Sequence, residues 1–542
     1  MAAVDTTPVA TIEPLVQQIR ATAASRKTHP ASWRRAQLRA IIAMVEENTD
    51  KMNAALHADL GANAFFSEVL ELGTILAEAE YALERLDGWM APQKVPTPFP
   101  TNLTTPVRSE ISETPRGTAL IVAPWNYPLS LCLCPLIAAL AAGNCCAVKP
   151  SEVSSECGRL LAELIKQYLD NEAVVVVMGA VPQATELLRL RFDVICYTGN
   201  GTVAKIVASA AAKHLTPCLL ELGGKSPCIV CEDADIATAA LRICWAKYTC
   251  NMGQTCVTVD YVLVVDSLKQ KLVVELKKVA LEMFGDKPAK SADVGRIASV
   301  RHAERLVGML DDTVNVLHGG EADAAQRYMA PTIVEPKDPS KPLASTVMRE
   351  EIFGPILPVV GVPTVDSAIE FVNSQAAGGN HPLALYVFAK GTANQQKVQR
   401  ATQSGGFCIN DCVKHLGNPN LPFGGVGASG MGAYHGEHGF KFFSHQRAVF
   451  AVDNHVSYRK EPGVWMTFAP YTQNKLSAIR LLGKLPKALA SVASVLKFAL
   501  PILLSYYAYH HPELVTSARE FNLNSAMALG LRFWSYCQSW LA

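Results

Sequence analysis

A cysteine near the middle of the chain lies where a nucleophile would be expected. Cys256 follows the Gly-Gln pair at 253–254 and precedes the alternating apolar run at 259–265. This pattern predicts a position between a helix and a strand, at the lip of a cleft, and a nucleophilic thiolate needs such an exposed sulfur. Most intracellular cysteines are instead small buried hydrophobes, and the chain contains 15 cysteines. Cys256 therefore needs support from other motifs.

Two polar motifs each follow a predicted strand. Asn126 lies within Pro-Trp-Asn-Tyr-Pro at 124–128, where the prolines restrict the backbone. Its amide can be held where it stabilises a developing oxyanion, although an ordinary turn is the alternative. Lys149 and Glu152 can bind ribose hydroxyls, and the carboxylate would repel the 2′-phosphate of NADP, which favours NAD. Ser151 as the N-cap of a helix explains the same residues, and both explanations can hold.

Two turns that contain glycine complete the set. Gly199, Asn200 and Gly201 join a predicted strand to a predicted helix. Glycines at a helix N-terminus let a pyrophosphate approach backbone N–H groups. Glu221 precedes the Gly-Gly pair at 223–224, where a desolvated carboxylate can activate water near neutral pH. A surface glutamate before a hairpin turn is the alternative for Glu221.

The elements that must position these residues form a regular α/β rhythm. It is typical of a parallel, doubly wound sheet, which binds nucleotides at the carboxyl ends of its strands. Strands are predicted at Thr118–Ala123, Cys145–Lys149, Ala173–Met178 and Asp193–Tyr197, and helices at Leu129–Ala142, Ser154–Tyr168, Gln183–Leu190 and Thr202–Lys213. Amphipathic helices are predicted earlier, over 32–60 and 67–86. A second α/β series follows Cys256, with strands near Tyr261–Val265, Thr332–Val334, Leu385–Ala389 and Gly406–Asn410.

Composition excludes several classes of function. A net charge of +1 over 542 residues, without a basic block, argues against nucleic acid as a partner. Residues 1–19 lack the basic and apolar regions of a secretory signal. The cysteines are scattered through apolar runs, which is typical of reduced thiols in a cytosol-facing protein. None has the spacing of a zinc site, so no metal is expected.

In this order and spacing the motifs resemble those of the NAD(P)-dependent aldehyde dehydrogenases. The matching stretches are Pro-Trp-Asn 124–126, Lys-Pro-Ser-Glu 149–152, Glu-Leu-Gly-Gly-Lys-Ser-Pro 221–227, Gly-Gln-Thr-Cys 253–256, Glu-Glu-Ile-Phe-Gly-Pro 350–355 and Pro-Phe-Gly-Gly 422–425. The similarity covers roughly residues 10–450. Residues 211–217, 430–436 and 443–445 look like the class 3, fatty-aldehyde branch.

The resemblance implies a role for each candidate. Cys256 would attack the aldehyde carbon, Asn126 and the Cys256 backbone N–H would hold the oxyanion, and Glu221 would activate the water that hydrolyses the thioester. The residues expected to bind the NAD cofactor are Trp125, Lys149, Glu152, Gly199, Asn200, Gly201, Glu351 and Phe353. Of these, Lys149 and Glu152 would hold the adenine-side ribose. Glu351 would hold the nicotinamide ribose and Phe353 would pack beside the nicotinamide. Tyr-Thr-Gly-Asn at 197–200, followed by Gly201, departs from the family's usual Phe-Thr-Gly-Ser.

The implied fold class is α/β, with a doubly wound, Rossmann-like NAD domain, an α/β catalytic domain and a small bridging arm. The expected boundaries are 1–90 and 114–221 for the NAD-binding domain, 222–430 for the catalytic domain, 91–113 and 431–455 for the arm, and 456–542 for a hydrophobic tail. Subunits of the family dimerise through this arm, so a homodimer is expected by resemblance.

The tail predicts an association with a membrane. As a helix, the nearly uncharged stretch Ala488–Tyr509 would be about 33 Å long, close to the hydrocarbon core of about 30 Å. Lys497 and Pro501 oppose a clean span. A helix lying in the interface, or one covering the substrate funnel, is the alternative. Basic residues just before the stretch would keep the catalytic body on the cytosolic face of an intracellular membrane, such as the endoplasmic reticulum.

The expected function is NAD-dependent oxidation of long apolar aldehydes, by default fatty aldehydes, to carboxylic acids. An apocarotenoid aldehyde is the alternative substrate. A non-catalytic scaffold is a remote alternative, since Cys256, Glu221 and Asn126 are all present. Transfer of the acyl group to another thiol is disfavoured because Glu221 can act as the deacylating base.

Overall fold

The computed structural model describes residues 6–98, 107–452, 468–481 and 484. Contacts divide the chain into a larger unit, Met1–Ala91 with Glu113–His445, and a smaller one, Pro92–Ser112 with Gln446–Ala542. All of the predicted site residues belong to the larger unit.

The larger unit begins with helices that cover one sheet. They span Val9–Ala24, Ala31–Glu47, Thr49–Leu60 and Gly73–Met90, with a π-helical segment at Phe66–Leu72. The single helix predicted over 32–60 is divided at Asn48, whose φ of −122° is not helical. Gly61 ends the third helix in the left-handed region at φ 59°, a conformation that glycine adopts without a steric penalty.

A six-stranded sheet forms the first half of the larger unit. Its strands, in order across the sheet, are Gly430–Met431, Cys218–Leu222, Val194–Gly199, Thr118–Val122, Cys145–Lys149 and Val174–Val176. The strands run parallel except Gly430–Met431, which pairs antiparallel with Cys218–Leu222. The covering helices that follow in the chain are Ser130–Ala141, Ser155–Tyr168, Val181–Arg189 and Gly201–Ala212. The predicted doubly wound α/β sheet is confirmed. Its strands could be predicted because parallel strands that are buried on both faces are continuous apolar runs in the sequence.

A seven-stranded sheet forms the second half. Its strands, in order, are Val314–His318, Thr332–Pro336, Ile356–Val362, Tyr261–Val265, Pro227–Val230, Ala384–Phe388 and Gly406–Ile409. The associated helices are Ile236–Cys244, Asp266–Phe284, Val300–Gly308, Thr346–Arg349, Val365–Ala377 and Thr392–Ala401. Cys218–Leu222 and Pro227–Val230 lie in different sheets, so the hairpin considered for residues 223–224 is wrong.

Shorter elements connect these sheets. They are the strand pair Ala322–Asp323 and Tyr328–Met329, the π-helical turn Trp245–Thr249, the 3-10 turns Asn251–Gly253, Pro288–Lys290, Pro342–Ala344, Lys414–Gly417 and Gly427–Ser429, and the helix Gly436–Phe442. Two of them, Trp245–Thr249 and Asn251–Gly253, directly precede Cys256, so this residue is positioned by irregular backbone.

The arm is a three-stranded sheet of Gln93–Val95, Val107–Pro115 and Ser444–Val452. The prediction placed its second segment at 431–455, whereas contacts group residues 431–445 with the larger unit. Met431 pairs with Leu220 of the six-stranded sheet. Gly439 of the helix Gly436–Phe442 packs so closely on Ala138 that an added Cβ would lie 2.9 Å from the alanine Cβ. Residues 431–445 thus make their contacts mainly with the larger unit, and the strand Ser444–Val452 is the part of the predicted segment that pairs within the arm sheet.

Most of the predicted tail, 456–542, lies outside the described residues, including Ala488–Tyr509 with Lys497 and Pro501. In the described part of the chain, every helix is too short or too polar to cross a lipid bilayer.

Candidate active site

A cleft of about 520 Å³ opens at the carboxyl ends of the parallel strands of the six-stranded sheet. Parallel sheets of this kind bind ligands at that edge. The predicted residues that line the cleft are Trp125, Asn126, Lys149, Glu152, Gly199, Asn200, Glu221, Cys256, Glu351 and Phe353. Gly201 instead lines an adjoining cavity of about 610 Å³, because it is the first residue of the next helix. The structure therefore brings together ten of the eleven candidates.

The loop before Cys256 has an unusual backbone. Asn251, Met252 and Gly253 all have positive φ, at 49°, 51° and 74°. Positive φ is costly for the two residues that carry a Cβ, and such strain is found preferentially at functional sites. A Cβ at Gly253 would lie 2.3 Å from the carbonyl oxygen of Gly354, so only glycine fits there. This closely packed loop places Cys256 at the cleft.

The side chain of Gln254 holds the same loop from within. It is fully buried, and its Nε2 donates to the carbonyl oxygens of Asn251 and Arg296 at 3.1 and 3.0 Å. Its Oε1 accepts from the N–H of Ala298 at 2.9 Å. Because the Gln254 amide is buried and hydrogen-bonded on both its nitrogen and its oxygen, it restrains the backbone of the loop. The position of Cys256, two residues later, is restrained with it.

Cys256 is half-buried at the end of this loop. Burial raises the pKa of the Cys256 thiol far above its usual range, and the nearby carboxyl groups of Glu351 and Glu221 raise it further. The resting group is therefore a thiol, and attack on a carbonyl requires the removal of its proton.

Glu221 lies at the carboxyl end of strand Cys218–Leu222 and is 1% exposed. Neither of its carboxyl oxygens has a hydrogen-bond partner among the described residues. Burial raises the pKa of Glu221 well above its ordinary value. A carboxyl group that is desolvated and unpartnered binds a proton strongly, which is the property that a general base acting on water requires.

Asn126 is 3% exposed and lies against the cysteine loop. Its Nδ2 donates to the carbonyl oxygen of Gln254 at 2.9 Å, and its own carbonyl oxygen accepts from Asn251 Nδ2 at 2.7 Å. An asparagine amide has two N–H groups, so one remains to bind an oxyanion in the cleft.

One end of the cleft carries the ion pair between Lys149 and Glu152. Lys149 Nζ lies 3.2 Å from Glu152 Oε2 and also donates to the carbonyl oxygen of Pro150 at 3.1 Å. Lys149 is buried while Glu152 is exposed, so the pair extends from the strand end into the cleft mouth. Both groups can exchange this contact for ribose hydroxyls.

Asn200, in the turn at residues 199–201, is the N-cap of the helix Gly201–Ala212. Its side chain accepts from the N–H of Val203 at 3.0 Å, which leaves the first N–H groups of the helix, including that of Gly201, unused by this cap. At Gly199 a Cβ would lie 2.3 Å from the hydroxyl of Tyr197, so this turn approaches its neighbours closely.

The opposite wall of the cleft holds Glu351 and Phe353. Phe353 has a positive φ of 52° and meets Trp125 edge-on, with 5.3 Å between ring centroids. A Cβ on Gly223 would lie 2.0 Å from Glu351 Oε2. Glu351 Oε1 is buried and has no hydrogen-bond partner among the described residues. An acceptor left free beside two aromatic rings fits the ribose hydroxyl and ring of a nicotinamide nucleotide.

Some residues at the site gave no usable signal in the sequence. The His302 ring packs against Trp125 at a tilted angle, with 4.9 Å between ring centroids, and lines the cleft, although it is far from any motif. Tyr127 lies within the Pro-Trp-Asn-Tyr-Pro motif but was not singled out there, and its hydroxyl lies 2.8 Å from Oγ1 of Thr255, the residue before Cys256. No His, Cys, Asp and Glu cluster in the described part of the chain is suited to hold a metal ion.

Comparison with known proteins gives the family. A model described as "Aldehyde dehydrogenase family" matches residues 1–449. The chain belongs to the aldehyde dehydrogenase family. It is 43% identical to "Aldehyde dehydrogenase family 3 member B1" of Rattus norvegicus over 471 residues, which are 86% of this chain and 96% of that protein. It is 44% identical to "Aldehyde dehydrogenase, dimeric NADP-preferring" of the same species over 440 residues, covering 81% and 94%.

A solved structure agrees with these relatives. That of Staphylococcus aureus AldH in a substrate-bound state has a TM-score of 0.82 and 36% identity, and the match covers 87% of this chain and 99% of that one. The chain is therefore an aldehyde dehydrogenase enzyme, and the assignment to class 3 is confirmed by its family 3 relatives.

Proposed function

We propose that this aldehyde dehydrogenase oxidises long-chain apolar aldehydes, chiefly fatty aldehydes, to carboxylic acids with NAD as the oxidant. The observation that carries the proposal is the buried, unpartnered carboxyl group of Glu221 in the same cleft as the Cys256 thiol. A thiol can take an aldehyde only as far as a thioester, and a base that activates water completes the reaction.

In the first half of the reaction, the Cys256 thiol loses its proton to solvent water. Its sulfur then forms a bond to the aldehyde carbon, and the carbonyl π electrons move onto the oxygen. The free N–H of Asn126 and the backbone N–H of Cys256 donate to the oxyanion of the resulting thiohemiacetal. A nicotinamide dinucleotide, when bound, would supply the acceptor for the hydride that leaves this carbon. Trp125 and Phe353 form the aromatic wall beside which the nicotinamide would lie.

In the second half, Glu221 removes a proton from water as the water oxygen attacks the thioester carbon. The carbon–sulfur bond breaks, the acid leaves, and the sulfur recovers the proton that Glu221 took from the water. The same N–H groups stabilise the oxyanion of this step. Because Glu221 supplies the base, the enzyme does not need a second thiol as acyl acceptor.

The preference for NAD is proposed from Glu152. Its carboxylate lies 3.2 Å from Lys149 Nζ at the adenine side, where it would repel a 2′-phosphate. One relative is named NADP-preferring, so the two cofactors must be compared directly. If NAD is preferred, kcat/KM for NAD exceeds kcat/KM for NADP. Glu152→Gln removes the carboxylate charge that would repel the 2′-phosphate, so we expect it to reduce the ratio of these two kcat/KM values.

The apolar substrate class is proposed from a second cavity, of about 170 Å³. It is lined by Val69, Gly73, Thr74, Ala77, Glu78, Leu416, Gly417, Pro419 and His435, most of which are small or apolar. Burial lowers the pKa of His435 to about 4, so its ring is neutral at physiological pH. His435 stacks on Phe423, and Phe423 and Cys256 pack against the same apolar cluster. An apocarotenoid aldehyde would suit the same surroundings.

Membrane association and dimerisation complete the proposal. The tail at 456–542 would anchor the enzyme to the cytosolic face of an intracellular membrane, where a lipid-soluble aldehyde concentrates, and the arm would form a homodimer. In liposome flotation the full chain floats, whereas a chain ending at residue 455 stays in the soluble fraction. Light scattering after size exclusion gives the subunit number of each form.

The deciding experiment measures NADH formation with decanal, hexadecanal, propanal and an apocarotenal, with Cys256→Ala as the control. Turnover of the long aldehydes by the wild type alone supports the mechanism, and the kcat/KM values rank the substrates. Preference for propanal contradicts the substrate class. Preference for the apocarotenal favours the alternative.

A further inference from the structure

Three charged side chains are buried together behind the wall that carries Glu351. The side chains of Lys225, Asp260 and Lys247 are 9%, 2% and 0% exposed. Lys225 Nζ lies 2.5 Å from Asp260 Oδ2, and Lys247 Nζ lies 3.8 Å from Asp260 Oδ1. Buried charges are costly unless they are paired, so a cluster of three requires an explanation beyond stability.

The cluster holds the backbone on both sides of Glu351. Asp260 Oδ1 accepts from the N–H of Ile352 at 3.1 Å. Lys225 Nζ donates to the carbonyl oxygen of Glu350 at 3.1 Å and to that of Val347 at 2.7 Å. The residues immediately before and after Glu351 are therefore both bonded to the same ion pair.

Lys247 contributes charge rather than a hydrogen bond. Its Nζ has no hydrogen-bond partner among the described residues, and Asp260 is its ion-pair partner. Burial lowers the pKa of Lys247 to about 8, while Asp260 and Glu351 act to raise it. Burial raises the pKa of Glu351 to about 8, while Lys225 and Lys247 act to lower it. Each group therefore favours the charged form of the other.

We propose that Lys247 and Asp260 are positioning residues that hold the segment 350–353 against the nicotinamide half of the cofactor. This inference rests on the proposed function, in which Glu351 binds the nicotinamide ribose. Without Lys247, Asp260 and Glu351 share the single cation of Lys225. Their repulsion then favours displacement or protonation of Glu351, and either change weakens its bond to a ribose hydroxyl.

The test compares NADH with ADP, which lacks the nicotinamide and its ribose. Lys247→Met keeps an unbranched chain of similar length and removes the charge. We expect the dissociation constant of NADH to rise about tenfold, equivalent to about 1.4 kcal/mol, and that of ADP to stay unchanged. The matched control is Lys278→Met, because Lys278 is exposed and distant from the cleft motifs. NADH is titrated by its fluorescence and ADP by calorimetry.

A second variant covers the case in which Lys247→Met does not fold. Asp260→Asn retains an oxygen that accepts from Ile352 but removes the charge that holds Lys225 Nζ at the carbonyl oxygen of Glu350. Because the segment 350–353 is then released on one side, we expect the same selective loss of NADH affinity. If Lys247 acts through Asp260, adding Lys247→Met to Asp260→Asn weakens NADH binding little further. Equal weakening of NADH and ADP in the folded variants, or no change in either, overturns the proposal.

Glu351→Gln separates this proposal from the proposed function. If it weakens NADH binding while the Lys247 and Asp260 variants do not, the positioning role is wrong and the role of Glu351 stands. If Glu351→Gln leaves NADH binding unchanged, both the cofactor role of Glu351 and the inference built on it are overturned.

Discussion

The thiol of Cys256 is surrounded by groups that keep its proton on the sulfur. Burial acts first, and the carboxyl groups of Glu351 and Glu221 add to it. Two N–H groups oppose these effects. A half-buried thiol with this balance is protected from unwanted reaction, and becomes a nucleophile when a base and substrate are present.

These raised pKa values predict that the reaction accelerates with pH. Both Cys256 and Glu221 must lose a proton, and both have pKa values raised above the ordinary range. As pH falls through these values the groups become protonated and inactive, so the rate declines on the acid side. We expect kcat at saturating hexadecanal and NAD, which includes both halves of the reaction, to rise from about pH 6 to about pH 9. A profile that is flat across this interval contradicts the assignment of either group.

The roles of the two residues can be separated by time. Glu221→Gln removes the base that activates water but leaves the thiol, so the first NADH forms and the thioester then accumulates. We expect a stopped-flow burst of about one NADH per active site, followed by a steady-state rate lower by about 10²- to 10⁴-fold. Cys256→Ala, the control, shows neither phase. Loss of the burst in Glu221→Gln means that Glu221 acts before hydride transfer.

At the scale of elements, the turn at residues 223–226 joins the two sheets across the cleft. Gly223 lines the cleft directly against Glu351, and Lys225 belongs to the buried charge cluster. The turn therefore sets the distance between Glu221, on one sheet, and the wall that carries Glu351.

This contact gives a prediction for the turn. In Gly223→Ala the new Cβ lies 2.0 Å from Glu351 Oε2, so the carboxyl group must move. Since a displacement of about 1 Å can cost up to 10²-fold, we expect KM for NAD to rise by about 10- to 100-fold. Gly88→Ala is the matched control, because its added Cβ meets nothing within 4 Å, and its KM stays at the wild-type value. An unchanged KM in Gly223→Ala indicates that Glu351 does not contact the cofactor.

The elements differ in how far the sequence predicts them. Cys145–Lys149 was predicted at its observed limits, because a strand buried on both faces is a continuous apolar run. Cys218–Leu222 and Pro227–Val230 were not predicted, since each is short and the Gly-Gly pair between them resembles a hairpin turn. Only tertiary pairing assigns them to separate sheets. The π-helical turn Trp245–Thr249 has no local signature.

The candidate site shows the same division. Residues such as Asn126 and Lys149 were predicted because polar groups after strand ends meet at one edge of a parallel sheet. Lys247 and Asp260 were not predicted, because an ion pair between a π-helical turn and the start of a strand depends on packing and not on spacing. Gly201 was assigned to the cofactor cleft, yet it borders the adjoining cavity.

At the scale of the whole molecule, helices before the first sheet bring two carboxyl groups into the core. Glu71 is fully buried and Oε2 accepts from the N–H of Ser130 at 2.7 Å. Glu78 Oε1 accepts from the N–H of Gly436 at 2.7 Å, which ties the N-terminal helices to a segment late in the chain. Burial raises the pKa of each to about 7, although these hydrogen bonds oppose the shift.

Stability should therefore decrease between about pH 5 and pH 7. The pKa of Glu78 is higher in the folded state than its ordinary value of 4.5. As pH rises from about 4.5 to about 7, Glu78 loses its proton in the unfolded chain before it does so in the folded protein. This difference favours unfolding by up to about 3 kcal/mol. Glu78→Gln removes the titrating group while its amide oxygen still accepts from Gly436. We expect the Tm of Glu78→Gln to fall less than the Tm of the wild type as the pH rises from about 5 to about 7.

The comparison needs a control for general effects of pH on the chain. Glu163→Gln alters an exposed glutamate on the helix Ser155–Tyr168, whose side chain is 57% exposed, and should leave the wild-type pH profile of Tm in place. A Glu78→Gln profile that coincides with the wild type would mean that Glu78 keeps an ordinary pKa in the folded protein. In that case water reaches this carboxyl group through the cavity that it lines with His435.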